Sequence, residues 1–128
     1  MLFKGYSKIF STKNEQQYNT IGRFWDEMSD LYGKENLRGL GYNWENDTIE
    51  YVIGAKHNSN IDINVGCQGA VYKEITLPDE NWILYKGKTE HLSELYDEIY
   101  QSGTLDYEIE TFFEDGTCEI NINRCCQI

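Results

Sequence analysis

Between Ile21 and Tyr32 the apolar side chains fall at 21, 24, 25, 28, 31 and 32, the three-and-four spacing of a helix with one buried face. Thr20 stands before this stripe as an N-cap and Gly33 after it as a stop. A second stripe, Leu92, Leu95, Tyr96, Ile99 and Tyr100, predicts another helix between Thr89 and Gly103. Behind each helix the pattern changes to alternation. Residues 37–44 and 48–55 flank Glu45-Asn46-Asp47, and residues 107–113 and 117–124 flank Glu114-Asp115-Gly116; Asn, Asp and Gly between alternating runs signal hairpins. One more strand precedes each helix, at 6–12 and 82–86, so each half reads strand, helix, strand, strand.

The halves also match residue by residue. Phe24-Trp25-Asp26-Glu27-Met28 returns 71 positions later as Leu95-Tyr96-Asp97-Glu98-Ile99. Trp44-Glu45-Asn46-Asp47-Thr48-Ile49-Glu50 returns 69 positions later as Phe113-Glu114-Asp115-Gly116-Thr117-Cys118-Glu119. A duplicated unit follows, with the first copy at about 1–57, a connector at 58–70 and the second copy at about 71–128. Within 71–77, β-branched residues alternate with polar ones up to Pro78, which predicts an extra strand. The expected architecture is α+β: one domain over 1–128, its duplicated β-α-β-β units forming one antiparallel sheet with two main helices packed on one face.

Length and charge narrow the function. The chain has 128 residues and a formal charge of −11, enough for one core and too short for two independent domains. With no Lys/Arg run, it lacks the clustered cations whose counterion release drives nucleic-acid binding, so no direct nucleic-acid partner is expected. No secretory signal and no apolar run of about 20 residues is present, which points to a cytoplasmic protein without a membrane partner. Cys67, Cys118, Cys125 and Cys126 form no Cys-x-x-Cys pair and read as free thiols. His57 and His91 show no ligand spacing with them and read as surface residues, so neither a metal nor another cofactor is expected.

The run Ile75-Thr76-Leu77-Pro78-Asp79-Glu80-Asn81-Trp82, continuing through Tyr85-Lys86-Gly87 to His91-Leu92-Ser93-Glu94-Leu95-Tyr96, resembles the second half of GyrI-like small-molecule-binding domains. So do the Phe24-Trp25 helix, Glu50-Tyr51-Val52-Ile53-Gly54-Ala55 and Ile109-Glu110-Thr111-Phe112. Such domains are duplicated strand-helix-strand-strand units. They occur as effector-binding modules of AraC- or MerR-type multidrug-sensing regulators, as gyrase inhibitors and as stand-alone proteins. Met1 falls at the first strand, so a stand-alone form without its own helix-turn-helix is expected, with a DNA-binding regulator or DNA gyrase as the protein partner in any regulatory role. The family's closing apolar-Pro-apolar segment is replaced here by Ile120-Asn121-Ile122-Asn123-Arg124-Cys125-Cys126.

The resemblance implies a groove between the halves with an acid on the strand that matches 107–113, at Glu110 in preference to Glu108. Strand parity supports a hollow there. Glu108, Glu110 and Phe112 share one face, while Tyr107, Ile109, Thr111 and Phe113 share the other, which the helices are expected to cover. Glu110 corresponds to Gly41 in the first copy, where Leu37, Gly39 and Gly41 leave two bare positions on the open face. Glu50, Glu108 and Glu119 read as solvated outer-face residues.

The candidate binding residues are Glu110, Phe112, Trp25, Tyr42, Trp44, Tyr51, Tyr85 and Gly41; Tyr42 and Trp44 have the wrong parity unless their strand is bulged. Aromatic walls around a carboxylate favour flat or cationic guests. The expected function is capture of small, mainly apolar or aromatic and cationic molecules without changing them. The alternatives are hydrolysis of strained electrophiles, with Glu110 as general base and Tyr85 or Trp25 as orienting donor, and a gyrase-inhibitor type of protein interaction suited to acidic charge.

Overall fold

Among the described residues, seven strands and two α-helices form from these runs. The computed structural model describes residues 1–56, 63–101, 103 and 105–124. The strands are β1 (Leu2–Ser11), β2 (Leu37–Glu45), β3 (Thr48–Ala55), β4 (Val71–Thr76), β5 (Trp82–Lys88), β6 (Tyr107–Phe112) and β7 (Thr117–Asn123), and the helices are α1 (Gln17–Tyr32) and α2 (Leu92–Gln101). They form one α+β body with a single sheet in the order β4-β1-β3-β2-β6-β7-β5, and every pairing is antiparallel.

The turns behave as their residues dictate. Asn46 and Asp47, with φ of 52° and 62°, close the β2–β3 hairpin with the two left-handed residues a tight hairpin needs. Gly33 ends α1 at φ 83°, its N–H bonded to the Ser29 carbonyl at 2.7 Å. The helix starts differ from expectation. α1 begins at Gln17, after a tight turn in which Asn14 and Glu15 take positive φ, and the Thr20 hydroxyl donates back to the Gln16 carbonyl at 3.1 Å instead of capping. Thr89 opens a short 3-10 turn that runs into α2, and its hydroxyl donates to the Thr117 carbonyl. Leu31, counted in the α1 stripe, is exposed. His57 lies outside the described residues, as do Cys125, Cys126 and positions 58–62 of the connector.

Register fixes which side chains share a face. Gly39 pairs with Ile53 and Glu110, Gly41 with Tyr51 and Glu108, and Glu110 with Ile120. All of these therefore point to one side. On that side Phe24, Trp25 and Met28 of α1 pack with Leu37, Tyr51, Ile53, Phe112 and Cys118, while Tyr96 and Ile99 of α2 pack with Ile120 and Ile122. The helices thus cover the Glu108/Glu110/Phe112 face, opposite to the assignment from parity. The expectation failed because apolar residues line both faces, so an apolar face alone could not say where the helices lie.

The other face carries its own core of Phe3, Leu40, Tyr42, Val52, Leu77 and Ile109, with Trp82 and Tyr107 against it. Only residues 77–81 separate β4 from β5, although these are the two edge strands. Seven flat strands would span about 29 Å at the usual spacing of ~4.8 Å, plus the offset between diagonal corners, beyond the reach of about 20 Å that so short a link has. Sheet twist resolves the conflict by curling the two corners together over this face. Leu77 N–H then donates to the Met1 carbonyl, the Trp82 indole to Pro78, and the Asn123 amide to Glu80. Glu50, expected in solvent, is buried on this side, where it accepts from Ser7 Oγ at 2.7 Å and Lys73 Nζ at 2.6 Å. Burial pushes its carboxyl up, but those two donors and Tyr42 outweigh it and hold the group below the usual range.

Candidate functional site

Between α1, α2 and the sheet lies a cavity of about 640 Å³, within the few hundred to about a thousand Å³ typical of small-molecule sites. Its floor is Ile49 and Tyr51 of β3 with Glu108, Glu110 and Phe112 of β6. One wall is α1, through Gln17, Tyr18, Ile21, Gly22 and Trp25; the other is α2, through Leu92, Tyr96 and Tyr100. Trp44 and Lys34 complete the rim. A smaller hollow of about 370 Å³ shares Gln17, Tyr18, Trp44 and Tyr100 with it and adds Glu45 and Asp47 on the surface side.

A chain of polar contacts crosses the floor. Trp25 Nε1 donates to the Tyr51 hydroxyl at 2.9 Å, and that hydroxyl donates to Glu110 Oε1. Gly39 permits this. A Cβ there would overlap the Tyr51 hydroxyl and ring, so the bare position is where the phenol lies and not an empty hollow. Gly41 is likewise covered: a Cβ would stand 3.1 Å from Glu108 Oε1. Trp25 meets Phe112 edge to face with centroids 5.1 Å apart, and Lys34 Nζ sits 4.4 Å above the Phe112 ring.

Two carboxyl groups are therefore buried side by side. Glu108 is 4% exposed and Glu110 7% exposed. Burial pushes Glu108 well up, the neighbouring Glu110 charge adds to this, and Tyr100, donating at 3.5 Å, opposes it. Glu110 is also raised by burial, against the Tyr51 hydroxyl, the nearby Tyr96 hydroxyl and the Lys34 charge, which favour its ionised form. The phenols move in the same direction: burial first, then these acids, drive Tyr51 and Tyr96 well above the ordinary phenol value. Tyr96 Oη is buried and leans on Glu110 without completing a well-formed hydrogen bond, and Gln17 Oε1 is buried with no partner. The site thus offers acidic oxygens and unsatisfied polar atoms within aromatic walls, which suits a guest rich in N–H donors or positive charge.

Of the residues singled out from sequence, Glu110, Phe112, Trp25, Trp44 and Tyr51 line this cavity. Trp44 reaches it through the anticipated bulge: Tyr42 pairs with Glu50 and Glu45 with Thr48, leaving Asn43 and Trp44 against Ile49, with Asn43 at φ 54°. Tyr42 lies before the bulge and stays on the opposite face, in the Phe3–Leu40–Ile109 core. Tyr85 lies on the cavity side of the sheet but packs beside Tyr96, Ile99, Ile120 and Ile122, away from the lining. Gly41 sits beneath Glu108 and touches no cavity space.

Glu108, read from sequence as solvated, was missed, and so were Tyr18, Tyr96, Tyr100 and Gln17. Their signal was present. Tyr96 and Tyr100 are four apart on the α2 stripe, and Tyr18 and Trp25 are seven apart on α1, so each pair shares a helical face. Scanned against protein-family models the chain matches none, and a search of curated proteins finds no match either. Fold and site define it by class alone: an α+β protein whose single antiparallel sheet carries two helices over a cavity floored by paired acids.

Proposed function

We propose that this chain binds small, mainly aromatic and cationic molecules between its two helices, as a module of the GyrI-like kind. The observation that carries this reading is Glu110, an acid 7% exposed on the floor of an aromatic-walled cavity with no ion-pair partner among the described residues. A buried carboxylate without a counter-charge is costly, and a cationic guest removes that cost.

Duplication is part of the proposal, and the central pairing supports it. Leu40 pairs with Ile109, its own counterpart 69 positions later, and on either side Gly39 faces Glu110 while Gly41 faces Glu108. The β2–β6 seam is therefore related to itself by the same offset that relates the repeats. Trp25 and its counterpart Tyr96, 71 positions later, stand on the two opposing walls. The experiment is thermal unfolding with added tetraphenylphosphonium: the midpoint rises with concentration by mass action, and Glu110→Gln weakens the rise. An unchanged midpoint, with unquenched tryptophan fluorescence, rejects the reading.

The hydrolase alternative draws on the Trp25–Tyr51–Glu110 chain, which aims a carboxylate and a phenol at one cavity. Tyr51 then takes the orienting role first given to Tyr85. Turnover of an epoxide or activated cyclopropane, abolished by Glu110→Gln and retained in Glu108→Gln, would favour this reading over binding alone.

A further inference from the structure

The binding reading calls for one acid, and the floor holds two. Glu108 and Glu110 sit two residues apart on one face of β6, which sets their Cα atoms about 7 Å apart. Each is gripped from a different side, Glu110 by Tyr51 on β3 and Glu108 by Tyr100 on α2. Neither makes an ion pair among the described residues, and Lys34, whose charge favours ionised Glu110, rests on the Phe112 ring. A further observation points to a guest: Tyr96 is 8% exposed, its hydroxyl leans on Glu110 without completing a well-formed hydrogen bond, and it lines the cavity between the acids and α2. Gln17 Oε1, a pure acceptor on the opposite wall, is orphaned.

We propose that the cavity is a two-point receptor for diamines: one protonated nitrogen on Glu110, a second on Glu108, and an aromatic or alkyl body against Trp25 and the α2 tyrosines. The proposal rests on the binding reading and adds a charge count to it. A monocation would leave one buried acid either ionised and unpaired or holding a proton, whereas a dication neutralises both. A spacer of four methylenes is comparable in length with the Cα separation of the two acids along the strand. Tyr96 and Gln17 then accept the remaining N–H bonds. A bare metal ion fits poorly, because a hard cation needs about six to eight oxygens and the rings of Trp25, Trp44 and Phe112 take part of the lining.

Calorimetry with two probes of equal length tests this: N-benzyl-1,4-diaminobutane, and N-benzylpentylamine, in which a methyl replaces the terminal ammonium. The expected result is that the diamine binds the wild type at least tenfold more tightly and that Glu108→Gln brings the ratio of the two affinities close to one. Equal affinities on the wild type, a comparison that needs no variant to fold, overturn the inference while leaving the binding reading in place. So does a Glu108→Gln protein that keeps the diamine preference. If neither amine binds and tetraphenylphosphonium also fails to raise the unfolding midpoint, the binding reading falls and this inference with it.

Discussion

Tyr51 and Glu110 meet across a strand that separates them: the phenol on β3 lies over Gly39 of β2 and donates to the carboxyl on β6. The contact exists because β2 has no side chain at the crossing point.

Gly39→Ala should therefore be far more damaging than Gly41→Ala. The first places a methyl inside the Tyr51 ring, whereas the second only presses on side-chain atoms, Glu108 Oε1 at 3.1 Å and Ile49 Cδ1 at 3.4 Å. Urea unfolding should show a loss of about 1–3 kcal/mol for Gly39→Ala, the usual cost of overpacking, and less than half of that for Gly41→Ala. Equal losses would show that Tyr51 does not occupy that position.

Stability should depend on pH in a defined sense. The folded state raises both Glu108 and Glu110 above their unfolded values, so it binds protons more tightly than the unfolded chain does. The contribution of the pair is present below the unfolded carboxyl value and is lost as pH rises through the folded one. Glu108→Gln keeps the shape and removes the titration. It should stabilise the protein by about 1 kcal/mol at neutral pH, and the gain should vanish in acid, as read from melting curves across pH.

Binding of a permanently charged guest should follow the same groups with the opposite outcome. Tetraphenylphosphonium does not titrate, so its affinity should grow with pH as the pair ionises, in a setting that also includes Tyr18, Tyr51, Tyr96, Tyr100 and Lys34. Glu110→Gln should cost at least tenfold at pH 8, about 1.4 kcal/mol, and flatten the profile. Tyr51→Phe, which removes a donor that favours the ionised acid, should displace the profile to higher pH.

The α1 wall has one open position. A Cβ on Gly22 would meet nothing within 4 Å, in the middle of a helix and at the cavity edge. Gly22→Ala should stabilise by about 0.5–1 kcal/mol through helix propensity alone. Gly22→Leu should narrow the cavity and weaken tetraphenylphosphonium binding with no loss in melting temperature; unchanged affinity would mean that guests do not pass Gly22.

Much of the fold was legible in the chain. Both helices, both hairpin turns and the strand at 71–77 follow from local periodicity and from turn residues whose φ preferences are intrinsic. The site was legible in part. Trp25, Trp44, Tyr51, Glu110 and Phe112 were singled out, while Tyr42 and Tyr85 belong to other packing clusters. Glu108 was set aside because a strand glutamate is ordinarily solvated, and no local signal says that a helix covers it.

The order of elements, the turns and the alternation of faces along β6 belong to the sequence, because each depends on residues within a few positions of one another. Which face the helices cover belongs to the tertiary structure. It depends on twist bringing the β4 and β5 corners together over Leu40 and Ile109, which closes that side and leaves the helices the acidic one. The left-handed Asn43 that turns Trp44 inward and the seat that Gly39 makes for Tyr51 are also products of packing across strands. No single segment encodes them, since each needs atoms brought together from distant parts of the chain.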